Sequence, residues 1–147
     1  MSLKQWADNS WLRPHQTSPE EIENLIKIVD RDLSDAAKGV SSDWRFGIAY
    51  NAALKLCTIL LYASGYRAEK SLQHYRTIQA MPLILGEERK DDAEYLEACR
   101  KKRNIVEYEY VGGTTEDEAD ELIGFVNSLR DDVMRWLKVN YPHPVSF

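Results

Sequence analysis

The sequence predicts an all-α fold, an up-and-down helical bundle of about five helices. Apolar residues recur at three- and four-residue spacing over several long segments, and none shows convincing two-residue alternation. Helix-capping residues and Gly or Pro breaks fall between those segments. The 147 residues amount to one domain, and a composition that is 44% hydrophobic and 29% charged excludes collagen, linker and wholesale disorder. A net charge of −5 argues against a protein that coats nucleic acid through bulk positive charge, while leaving room for a local basic site.

Residues 1–17 lack clear periodicity but carry Trp6, Trp11 and Leu12, so they are expected to form an extension packed on the body. The helical domain is expected over 18–140, with 141–147 as a tail. Ser18-Pro19-Glu20-Glu21 opens the first helix: Ser18 caps, Pro19 suits the first position and Glu21 would complete a capping box. Ile22, Leu25, Ile26, Val29, Leu33 and Ala36 follow at helical spacing, and Gly39 is the stop. Ser41-Ser42-Asp43 opens a second helix, Trp44 to Ala63. It is apolar nearly all round, with one narrow polar stripe of Gly47, Asn51, Lys55, Thr58 and Tyr62. Such a helix belongs at the centre of a bundle.

Ser71 is a candidate cap for a short third helix carrying Leu72, Tyr75, Ile78 and Met81, which Pro82 should kink or end. A polar lead-in over 87–92 opens a fourth helix to about Tyr110, broken by Gly112-Gly113. Thr115-Glu116-Asp117-Glu118 is a capping box for the last helix, with Leu122, Ile123, Val126, Leu129, Val133, Trp136 and Leu137 on one face; Pro142 and Pro144 close the chain.

Cys57 and Cys99 sit in apolar helical patterns and read as small buried hydrophobes. No stretch reaches the ~18 consecutive apolar residues of a membrane span, and the N-terminus is too polar for a signal peptide. The expectation is a cytoplasmic protein without membrane contact. No cofactor and no metal are expected, since there is no glycine-rich phosphate loop, zinc-ligand spacing or nucleophile elbow. The pairs Asp91-Asp92 and Asp131-Asp132 read as solvated faces.

The segment RKKRNIVEYEY, Arg100 to Tyr110, is not explained by folding alone. At about 100° per residue, Leu96, Cys99, Arg103, Val106 and Tyr110 fall on one stripe, a buried seam with Arg103 in its middle. An unpaired buried charge costs several kcal/mol, roughly. Arg103 must therefore pair with a carboxylate such as Glu107, reach out to solvent, or line a cleft that receives an anion. Arg100, Lys101 and Lys102 beside it read either as a solvated basic face or, with Arg103, as a phosphate site. Two nearby tyrosines are suited to stacking on a base.

At these residues the sequence resembles the HEPN domain, a small helical bundle of toxin–antitoxin, abortive-infection and other RNA-targeting systems. The family motif is an Arg, often followed by a polar residue such as Asn, with a His four to six residues after the Arg. In a branch partnered with a minimal nucleotidyltransferase it reads Arg, four residues, His, one residue, Tyr. Arg103, Asn104 and Tyr110 match; Tyr108 stands at the His position. Ala49 to Leu56, AYNAALKL, is also similar to the family's central helix, and the resemblance spans roughly 18–140.

The resemblance implies a homodimer whose paired fourth helices place two motif arginines in one cleft. It implies metal-independent endoribonuclease chemistry in which the RNA 2′-hydroxyl attacks, Arg103 stabilises charge on phosphorus, Asn104 orients and the residue at 108 exchanges protons. An antitoxin or nucleotidyltransferase partner is implied too, with Tyr110 as the residue that accepts a nucleotide. A tyrosine with its pKa near 10 is a poor proton carrier beside a histidine near 6.5, and five helical residues set Tyr108 about 140° from Arg103. Three readings follow: an RNA-associated protein with weak or lost nuclease activity; an active ribonuclease using Tyr108, Glu107 or His74; and a non-catalytic dimerisation or partner-binding module.

Overall fold

The computed structural model describes residues 1–108 and 113–141, with backbone alone over 105–108. The most apolar segment becomes α3 (Ser42–Ala63), which packs against α2 (Pro19–Lys38), α7 (Glu116–Asn140), α6 (Lys90–Tyr108) and the short α4 (Gln73–Gln79) and α5 (Met81–Leu85). Eleven α3 residues are buried, while Gly47, Asn51, Lys55, Thr58 and Tyr62 form the half-buried stripe that the sequence sets apart. By length and mean hydropathy (1.4 over its most apolar window), α3 meets the requirement for a membrane span, contrary to the reading that no segment does. In this fold 61% of that window is covered by the rest of the chain. The all-α bundle expected from the sequence is the architecture found.

Local chemistry sets where these helices begin. Ser18 and Ser41 cap α2 and α3 by accepting from the N–H groups of Glu21 and Trp44, both at 3.1 Å. Thr115 and Glu118 make the complete capping box of α7. At α2 the box is half built: the Glu21 carboxylate turns away and accepts instead from Thr17 Oγ1 and pairs with His15 Nε2, each at 2.7 Å. Only Gly39–Ser41 separate α2 from α3, which makes the two an antiparallel hairpin.

Three arginines tie α7 to the body. Arg45, at the start of α3, donates to Ala36 O on α2 at 2.9 Å and to Glu116 and Asp120 on α7, both at 2.6 Å. Arg130 reaches Asp30 on α2 at 2.6 Å, and Arg89 reaches Asp132 at 2.6 Å. The carboxylates read from sequence as solvated surface thus include helix-to-helix ties.

Several elements depart from expectation. The N-terminal segment packs through Trp6 and Leu12 against Leu61, Ala68 and Ala80, and it contains α1 (Leu3–Asp8), opened by a Ser2–Gln5 capping box. It also contains β1 (Leu12–Pro14), which pairs antiparallel with β2 (Tyr66–Ala68) in the register Leu12 to Ala68. The expected third helix is two helices, and Pro82 lies in the first turn of α5, where its missing N–H is tolerated. Ser71 does not cap α4. Leu72 occupies the cap position in left-handed backbone (φ +56°) without a side-chain hydrogen bond. Pro142 and Pro144 lie outside the described residues.

Burial raises the proton affinity of Glu21, but the hydrogen bonds from His15 and Thr17 outweigh it and hold its carboxyl below the ordinary value. A folded-state value below the unfolded one contributes stability that is present above the unfolded pKa, about 4.3, and is lost as pH falls through the folded value. Glu21→Gln should therefore flatten the acid limb of a Tm-against-pH curve. Superimposable acid limbs for variant and wild type would contradict this.

Candidate functional site

The core determines how α6 presents the basic segment. Ala93, Leu96 and Cys99 are buried in the main core, and the next seam position, Arg103, is half-buried at its rim. Its guanidinium carbon lies 5.5 Å from the centroid of the Tyr50 ring on α3, a distance at which a cation is attracted to the ring face. Tyr50 is fully buried, and its hydroxyl has no hydrogen-bond partner among the described residues. Burial pushes that hydroxyl's pKa well up, against the opposing pull of Arg100 and Arg103.

The four basic residues do not share one face. Arg100 donates to Glu97 Oε1 through Nε at 2.6 Å and a terminal nitrogen at 2.5 Å, while the other Glu97 oxygen is buried without a partner among the described residues. Lys101 is exposed. Lys102 points to the opposite flank, where it pairs with Glu118 of α7 beside a small cavity lined by Tyr95, Cys99 and Glu121. Asn104 is half-buried. The phosphate cluster read from the sequence is thus divided: Arg100, Lys101 and Arg103 toward α3 and α4, and Lys102 toward α7.

α4 adds His74, which the sequence offers only as a substitute for the motif histidine. His74, Lys70, Leu72, Gln73, Tyr75 and Arg100 line a depression of about 310 Å³. A second, of about 280 Å³, shares Leu72, Tyr75 and Arg100 with it and adds Glu97 and Lys101. Burial lowers the His74 pKa, and the charges of Arg103, Arg100 and Lys55 lower it further. Positive charge from α3 and α6 thus acts on His74 at the corner between α4 and α6, with Glu97 the acidic residue on the wall of the second depression. No local sequence signal links His74 to Arg100; their proximity is a tertiary result.

Helix α6 is continuous from Arg103 to Tyr108, so the backbone positions of these residues stay about 140° apart around its axis. The side chains of Glu107 and Tyr108, and Tyr110 as a whole, lie outside the described residues. Cys57 and Cys99 are buried, and burial pushes their thiols up to about 12 and about 11, which makes them poor nucleophiles at neutral pH. No group of His, Cys, Asp and Glu capable of holding a metal occurs among the described residues. No protein-family model, curated protein or solved structure matches the chain.

An NMR titration of the His74 imidazole should give a midpoint below the usual 6.5, and Arg103→Ala should raise it toward that value. The folded state then binds fewer protons than the unfolded state through this window, so His74 makes stability rise with pH across it. A midpoint unmoved by Arg103→Ala would remove Arg103 from the corner.

Proposed function

We propose that the α4–α6 corner holds the phosphodiester backbone of RNA, and that the protein is a HEPN-type RNA-associated protein whose nuclease activity is weak or lost. The observation that carries this reading is the pair of adjoining depressions that His74, Arg100, Lys70 and Lys101 line, within reach of the charges of Arg103 and Lys55, in a chain of net charge −5. A planar guanidinium matches phosphate oxygens in pairs, and cations grouped at an open corner attract a polyanion. Glu97 offsets part of the Arg100 charge; Lys70 and Lys101 add cations to the walls of the two depressions.

The reading extends to a homodimer that pairs α6 with its copy. It places the protein in a toxin–antitoxin or defence setting, with an antitoxin or nucleotidyltransferase partner for which Tyr110 is the modification site. Weak or absent cleavage follows from the tyrosine at 108 where the motif carries a proton-exchanging histidine. A second reading, an active metal-independent endoribonuclease, draws support from His74, an imidazole on the groove wall beside Arg100. In that case His74→Ala abolishes cleavage measured in chelator.

Fluorescence anisotropy with a short RNA tests the main reading. Arg103→Ala should weaken binding about tenfold, the range of one charge-assisted hydrogen bond, and reduce the salt slope by about 1. Tyr108→His should increase cleavage in chelator above wild type. A large drop in Tm for Arg103→Ala with RNA affinity unchanged would instead establish the non-catalytic interaction module. A strictly monomeric solution mass would remove the composite cleft.

A further inference from the structure

We infer that the groove between the start of α4 and α6 selects single-stranded RNA by seating an unpaired base on Tyr75; this rests on the reading above that the corner takes RNA. Tyr75 and Leu72 are large side chains left 38% and 60% exposed in a fold that buries Tyr50 of α3 completely. Both stand where the two depressions meet, at Arg100. Lys70 lines one depression and Lys101 the other, beside Glu97, which holds Arg100 in place, so that lysines flank an aromatic surface. This is the arrangement a single strand requires, with phosphates on the cations and a splayed base on the ring. A duplex keeps its bases stacked inside and offers the ring nothing to cover.

The platform is preorganised. The Arg76 guanidinium lies 5.9 Å from the Tyr75 ring centroid and is itself fixed 3.9 Å from the Trp11 ring. Trp11 in turn packs edge-on against Trp6 at 5.6 Å. Leu72 holds a left-handed backbone conformation that a non-glycine residue rarely adopts, in the turn leading into Gln73 and His74. The Gln73 side chain, with both donors and an acceptor, lines the same depression and is placed to meet a base edge. Each depression is close to the lower end of the size range of small-ligand sites, about 300 Å³, enough for one nucleotide unit.

The test is binding of a short oligouridylate, free and paired with oligoadenylate, to the full chain. Wild type should bind the single strand about tenfold tighter than the duplex. Tyr75→Ala should remove most of that preference and Tyr75→Phe should retain it, while Arg100→Ala weakens both forms. Tyr75 is exposed, so thermal melting should confirm that its variants fold. Equal affinity of wild type for the two forms overturns the inference. So does unchanged single-strand affinity in Tyr75→Ala when Arg100→Ala still weakens binding, and in that case the RNA reading stands. If neither Arg100→Ala nor Arg103→Ala alters binding of either form, the RNA reading itself fails.

Discussion

A helix with eleven buried residues and a single half-buried stripe cannot lie at a water-facing edge, and that constraint arranges the rest of this molecule. Apolar burial is non-directional and scales with area, so α3 is satisfied only when α2, α7, α6 and α4 each give it a face. Once Ala93, Leu96 and Cys99 of α6 are committed to that core, the register of the helix is fixed. Arg103 then arrives at the rim over Tyr50, one turn beyond Cys99. Its charge is partly desolvated there, a position in which the ring face offsets some of the lost hydration.

The opposite wall of the groove is held by a second, smaller core. Trp6 and Leu12 of the N-terminal arm pack with Leu61, Ala68 and Ala80, and the antiparallel pairing of β1 with β2 fixes the arm to the segment just after α3. Arg76 of α4 is clasped by Trp6 and Trp11. The arm therefore acts on the candidate site without touching it, by fixing the short helix that presents His74 and Tyr75. His15, stacked on Tyr62 at 3.9 Å and paired with Glu21, anchors the other end of the arm to α2 and α3.

Much of this architecture was legible because it follows local rules. The caps at Ser18, Ser41 and Thr115 and the polar stripe of α3 require only near neighbours in sequence. The Ser2–Gln5 capping box was equally local, but a six-residue helix with one buried side chain, Trp6, gives no periodicity to accompany it. Three-residue strands are too short to show alternation, and nothing in a leucine announces left-handed backbone, so Ser71 was the more natural cap than Leu72. At the site, the sequence marked Arg103 as anomalous and grouped it with its basic neighbours. Helical geometry divides that group, sending Lys102 to Glu118. The contribution of α4 depends on tertiary folding, which no spacing within either segment encodes.

The central claim is that the corner formed by α4 and α6 is where this acidic protein meets a polyanion. Backbone amide shifts followed by NMR during titration with a short oligoribonucleotide test it most directly. The account predicts that the largest changes fall together on residues 70–75 and 97–104, with the Lys102–Glu118 flank and the α2–α7 face still. Saturable binding with its shifts centred elsewhere, or no shifts at any oligonucleotide concentration, would contradict it.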